Sequence, residues 1–198
     1  MNAPLCGDDP DALRRELRRS AIARREALTA TARSALTTRL EKPLRHLLAT
    51  LAPSVVGFCW PFRGEPDLRR MMTEWMEEVP GRISALPVVL DKEKPLMFRS
   101  WTPTMTLVPD RHGILHPPSG EAVVPDVVLV PLNVFDAAGF RLGYGGGYFD
   151  RTLAVLDSVA VGVGFEIGRA PTVFPQAHDR PMDWIVTEAG AFQARNMR

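Results

Sequence analysis

Residues Asp126–Arg151 read DVVLVPLNVFDAAGFRLGYGGGYFDR, and Val159–Phe165 further on read VAVGVGF. The run Asp126–Pro131 is continuously apolar after its first residue, as expected of a strand covered on both faces. A glycine-rich loop follows, then a helix predicted from about Tyr148 to Leu156, then the second apolar run. Strand, loop, helix and strand in this order form the parallel crossover unit of an α/β fold.

Working outward, Val55–Trp60 (VVGFCW) is another buried strand, and Arg82–Val89 and Leu96–Trp101 read as further strands. Asp67–Val79 reads as a helix with Asp67 near its start. Thr102–Pro125 is rich in Pro and Gly without a clear period, which predicts a long surface excursion. Asp183–Thr187 adds a last strand, and residues 189–198 read as a tail. At the other end, residues 1–10 read as disordered. Leu13, Leu17 and Ile22 then recur at helical spacing, and Leu36, Leu40, Leu44, Leu47 and Leu51 mark a second helix capped by Thr29 or Thr31. Pro43 is expected to kink or divide that helix. The expected architecture is a single domain over 1–198, a three-layer α/β/α structure with a mostly parallel sheet, preceded by two N-terminal helices.

Composition excludes several classes. Lys+Arg 24 against Asp+Glu 23 gives a net charge of +1, which announces no polyanionic partner. Aromatic residues are 8% and no groove-reading motif appears, so nucleic acid is not an expected partner. No apolar run is long enough for a membrane-spanning helix, and Met1–Pro10 lacks the basic-then-apolar order of a secretory signal. Cys6 and Cys59 are isolated thiols without CxxC spacing. A cytoplasmic protein, monomeric or a weak homodimer, is expected.

The segment with most chemistry is Gly139–Arg151. Glycine costs conformational entropy, so Gly143, Gly145, Gly146 and Gly147 together need a reason. One is that successive backbone N–H groups converge on an anion, aided by the helix N-terminus that follows. The other is a tight turn needing positive φ. Arg141 adds a permanent planar charge suited to phosphate oxygens. The loop is not a P-loop, which would need Gly-Lys-Ser/Thr, nor a dinucleotide fingerprint, which would need glycine where Tyr148 stands.

RLGYGGGYFDR preceded by PDVVLVPLNVFD resembles the signature of the 5-formyltetrahydrofolate cyclo-ligases. LRRSAIARREAL (Leu17–Leu28), CWPFRGEPD (Cys59–Asp67), GVGFE (Gly162–Glu166) and HDRPMDWIVTE (His178–Glu188) resemble further family segments in the same order. The resemblance implies an ATP-dependent ring closure of 5-formyltetrahydrofolate to 5,10-methenyltetrahydrofolate, with ATP and a reduced folate as partners and Mg²⁺ as cofactor. It implies that Arg14 and Arg18 contact the nucleotide, together with Arg141, Gly143, Tyr144, Gly145, Gly146, Gly147, Tyr148 and Phe149. Trp60 and Glu65 would meet the folate, with Tyr144 and Tyr148 between the two substrates. Arg141 and Tyr148 would act in catalysis, and Asp150 and Asp183 would hold magnesium. Arg15, Arg19, Arg24 and Arg25 are read as a solvated helix face.

Departures from the family pattern are Arg14 for lysine, Gly168 for glutamine, Gly146 where some relatives carry lysine, and His116 before a proline. They keep a second reading open, a non-catalytic or altered-activity paralogue that binds folate or nucleotide. A methyl group at Gly147 is expected to obstruct ATP with only a modest change in melting temperature.

Overall fold

The computed structural model describes residues 9–194. The expectation of disorder at the start falls mainly on residues outside that range, and Pro10 already opens the first helix. The elements are α1 (Pro10–Glu26), α2 (Ala30–Leu51), β1 (Val55–Gly57), α3 (Arg69–Glu78), β2 (Ile83–Val88) and β3 (Met97–Trp101). Then come β4 (Val108–Pro109), β5 (Leu115–His116), β6 (Ala122–Val123), β7 (Val127–Pro131), β8 (Val134–Phe135) and β9 (Arg141–Leu142). The chain continues through α4 (Tyr148–Leu153), β10 (Val159–Val163), a 3-10 turn at Glu166–Gly168, β11 (Trp184–Thr187) and β12 (Gly190–Gln193).

Eight strands form the main sheet in the order β12-β11-β10-β7-β1-β2-β3-β6. The inner pairs β11/β10, β10/β7, β7/β1 and β1/β2 are parallel, while β3, β6 and β12 join antiparallel at the edges. Apolar side chains alternate between the two faces of the parallel strands. Val127 and Leu129 of β7 join Leu40, Leu44 and Leu48 of α2 and Met71, Met72 and Trp75 of α3 in one core. Val128 and Val130 join the opposite core, against which Tyr148, Phe149 and Leu153 of α4 pack. Burial on both faces explains why these strands read as unbroken apolar runs.

Thr29 caps α2, its hydroxyl accepting from Ala32 N at 3.1 Å. Pro43 does not divide this helix. Leu40, Leu44, Leu47 and Leu48 on either side of it are all buried, and that packing outweighs the lost backbone hydrogen bond. Two other expectations change. The tail begins with an edge strand, since Gly190–Gln193 pairs with β11. The 102–125 excursion holds the β4–β5 hairpin and β6, which pairs with β3. Among the described residues no helix is long and apolar enough to cross a membrane.

Strand order creates the crevice. From β1 the chain proceeds to β2 on one side, whereas β7, β10 and β11 extend on the other. Loops leaving the C-terminal ends of β1 and β7 therefore diverge, and ligands of open parallel sheets bind at such a switch point. The loop after β1 carries Trp60 and Glu65, and that after β7 carries Asn133 and leads to the glycines. Helix α1 does not cover a sheet face. Its Ala21 packs with Val134 and Leu142 of the β8–β9 hairpin, with Leu17 alongside, which sets its polar face over the crevice.

Candidate active site

Three arginines of α1 point into the site. Arg18 donates through Nε to the carbonyl of Gly143 at 2.7 Å, and among the described residues it has no ion pair. Burial, then the neighbouring Arg14 charge, lowers the Arg18 pKa from its ordinary value, with Asp179 opposing. A cation held under that stress gains from a nearby anion.

Arg14 is not left open for phosphate as expected. It donates to Asp179 through two bonds of 2.6 and 3.2 Å and to the Phe174 carbonyl at 2.8 Å. The pair is nearly buried, and a fork that satisfies a carboxylate has little charge left to offer elsewhere. Arg14 thus ties α1 to the segment before β11.

Arg25, read from sequence as solvated, is buried. Its guanidinium donates to the carbonyls of Arg63 (3.0 Å) and Leu132 (3.3 Å), to Asn133 Oδ1 (2.7 Å) and to the Tyr144 hydroxyl (2.7 Å). Asn133 Nδ2 is left buried without an acceptor among the described residues. A signal for Arg25 did exist: it lies seven positions after Arg18, on the face shared with buried Ala21 and Ile22.

The Tyr144 hydroxyl donates in turn to Glu65 Oε1 at 2.8 Å, and Glu65 Oε2 accepts from Phe62 N at 3.1 Å. Burial raises the Glu65 pKa, and Arg25 and the two hydrogen bonds oppose that rise. Burial, then the Glu65 charge, pushes the Tyr144 phenol far above its usual value, so it stays a proton donor. Glu65 and Trp60 line a cleft of about 620 Å³ together with Trp101, Arg33, Arg69 and Thr37. One face of the Trp60 ring is covered by the Arg69 guanidinium, 4.5 Å from its centroid.

The glycines divide by role. Gly145 (φ +92°) and Gly147 (φ +65°) adopt left-handed backbone, and an added Cβ on Gly147 would come within 2.7 Å of Arg151 Nη1. On Gly146 a Cβ would meet the Tyr148 ring at 2.7 Å, whereas on Gly143 it would meet nothing within 4 Å. The turn-forming reason for the cluster therefore holds at Gly145 and Gly147. Tyr148 lies beneath the loop between Arg151, 5.1 Å from its centroid, and Arg111 of the β4–β5 hairpin, which donates to its hydroxyl.

Arg141 is nearly buried and donates to Asp150 Oδ1 at 3.1 Å and to the Arg180 carbonyl at 3.0 Å, with the Phe149 ring 6.0 Å away. Asp150 Oδ1 also accepts from Arg180 N at 3.0 Å. Asp183 takes no part in this network. Its Oδ2 accepts from Ala160 N at 2.8 Å, fixing the start of β10 against β11. Asp183 thus spends one oxygen on strand register, and its Oδ1 lies outside that bond. Among the described residues no group of three or more His, Cys, Asp or Glu could hold a metal. Asp150 and Asp183 each keep one carboxylate oxygen outside these bonds, the kind of acceptor that suits a magnesium ion taking most of its ligands from water and phosphates.

At Gly168 an added Cβ would lie 2.6 Å from the Asn133 carbonyl. Glycine there is a packing requirement of this chain and gives no support to a loss of activity.

A model of the 5-formyltetrahydrofolate cyclo-ligase family matches residues 10–188 of this chain. A 5-formyltetrahydrofolate cyclo-ligase of Haemophilus influenzae is 27% identical over 137 residues, covering 64% of this chain and 72% of the relative. One of Mycolicibacterium smegmatis is 33% identical over 103 residues, 47% of this chain and 51% of the relative. Among solved structures, the Aquifex aeolicus 5,10-methenyltetrahydrofolate synthetase superposes with a TM-score of 0.80 at 30% identity, covering 94% of this chain and 95% of that one. The Mycoplasma pneumoniae enzyme of the same name, at 20% identity, matches in fold with a TM-score of 0.68 over 91% of this chain and 99% of its own.

Proposed function

The chain belongs to the 5-formyltetrahydrofolate cyclo-ligase family, and on that premise we propose that it closes 5-formyltetrahydrofolate to 5,10-methenyltetrahydrofolate with ATP. The observation that carries this reading is the Tyr144–Glu65 hydrogen bond. It makes the glycine loop and the Trp60 cleft two walls of one site, as a reaction between a phosphoryl donor and a pterin-sized substrate requires.

In the proposed reaction the formyl oxygen attacks the γ-phosphorus and the bond to ADP breaks. Nitrogen 10 then attacks the activated carbon and gives up its proton. The C–O bond breaks, and the former formyl oxygen leaves with phosphate. No protein nucleophile is needed. The residues position and neutralise: backbone N–H groups of Gly143–Gly147 and the Arg18 guanidinium face the phosphates, with Arg141 behind them. Tyr148, held between Arg111 and Arg151, stabilises the transferring group in this reading. Trp60 packs against the pteridine, and Glu65 accepts from donors on that ring. Magnesium, when bound, would supply positive charge to the phosphates, and Asp150 and Asp183 are the residues that would hold it. The same reading has the chain work in the cytoplasm as a monomer or weak homodimer.

The test is formation of the methenyl chromophore by purified protein with 5-formyltetrahydrofolate and magnesium. Product is expected only with ATP, with ADP released in equal amount. Folate and nucleotide binding without product would instead support the non-catalytic relative.

A further inference from the structure

Arg25 touches three separate segments of the site, and each nitrogen of its nearly buried guanidinium donates to a protein oxygen. Nε holds the Arg63 carbonyl in the folate-side loop. Nη1 holds Leu132 and Asn133 where β7 ends. Nη2 holds the Tyr144 hydroxyl of the glycine loop and lies 3.9 Å from Glu65 Oε1. All these partners sit at the switch point, where the loops after β1 and β7 would otherwise be free to part.

We propose that Arg25 is a positioning residue that couples the nucleotide wall to the folate wall, so that occupation of either one preorganises the other. This rests on the cyclo-ligase reading for the identity of the two ligands. The guanidinium is a rigid plane with donors at fixed angles, so a shift of one partner disturbs the rest. The Tyr144 hydroxyl accepts from Arg25 and donates to Glu65, and both of its directions are thereby fixed. A nucleotide that orders the glycine loop thus orders Tyr144, then Glu65. By linkage, folate bound against Glu65 orders the loop for nucleotide to the same extent.

Calorimetry of 5-formyltetrahydrofolate binding, with and without the β,γ-imido analogue of ATP, measures this coupling. In the wild type the analogue is expected to tighten folate binding by about fivefold or more, the lower range of measured couplings. Arg25→Lys keeps the charge but loses the fork, and Tyr144→Phe keeps the ring but loses the hydroxyl. Each should bring the ratio close to one, and the double variant should lose no more than either single change. Should Arg25→Lys fail to fold, Tyr144→Phe still decides the matter. A wild-type ratio of one, or variants that only melt earlier with the ratio unchanged, would overturn the proposal while leaving methenyl formation intact. Absence of both folate binding and methenyl product would instead sink the cyclo-ligase reading and this inference with it.

Discussion

The Nε of Arg18 donates to the carbonyl of Gly143 across 2.7 Å, joining the first helix to the first glycine of the loop. With no carboxylate paired to it among the described residues, this guanidinium keeps its charge for an incoming anion. Arg18→Ala should raise the ATP dissociation constant at least about tenfold, roughly 1.4 kcal/mol of lost binding. Folate affinity measured without nucleotide should stay nearly constant. Unchanged ATP affinity would remove Arg18 from the phosphate site.

Gly143 and Gly147 should respond differently to alanine. Gly143 lies outside positive φ and an added Cβ meets nothing within 4 Å, so Gly143→Ala should melt normally and bind ATP weakly. Gly147, at φ +65° and crowded by Arg151, should lose stability in Gly147→Ala. The left-handed backbone alone costs about 1–2 kcal/mol for a residue with a Cβ, a drop of roughly 2–8 °C for a chain of this size. This adds a stability cost to the expectation that alanine at Gly147 obstructs ATP with only a modest change in melting temperature. Equal melting temperatures for the two variants would contradict the assignment.

Asp150→Asn keeps an oxygen for Arg141 and the Arg180 N–H but removes the negative charge. Turnover should fall and the magnesium concentration needed for half-maximal rate should rise, with little change in melting temperature. A full rate at limiting magnesium would exclude Asp150 from the metal site.

Acid stability should depend on Asp179. Burial raises its pKa, but hydrogen bonds from Arg14 and Gln176 N, with the Arg14 charge, outweigh that and leave it below the ordinary carboxyl value. A depressed folded-state pKa gives stability that is present above the unfolded value and lost as pH falls through the folded one. The wild type should therefore lose melting temperature below about pH 4, near the ordinary carboxyl value. Asp179→Asn should start lower and show a flatter slope. An unchanged slope would assign the acid loss to other carboxylates.

The parallel core was legible because Val55–Phe58 and Val127–Val130 are apolar at successive positions, which burial on both faces explains. Strands β4, β5 and β6 were not, since two residues carry no period. β12 is defined by its pairing with β11 while Phe192 stays exposed, so its pattern resembled a tail. Within the site, the glycines and Arg141 announced themselves by type and clustering. Arg14 and Asp179 did not, because their pairing spans 165 positions of chain. Arg25 was hidden among neighbouring arginines of the same helix, and only its shared face with Arg18 set it apart. Asp183 matched a motif, but the bond from one of its oxygens to a strand N–H could not be read from that motif.

The central claim is that ATP activates the formyl oxygen for ring closure. It is tested most directly with 5-formyltetrahydrofolate carrying ¹⁸O in the formyl group, by following the released phosphate with ³¹P NMR. The account predicts that the label appears in inorganic phosphate, one atom for each methenyl product formed. Unlabelled phosphate, with the ¹⁸O found in water, would contradict it.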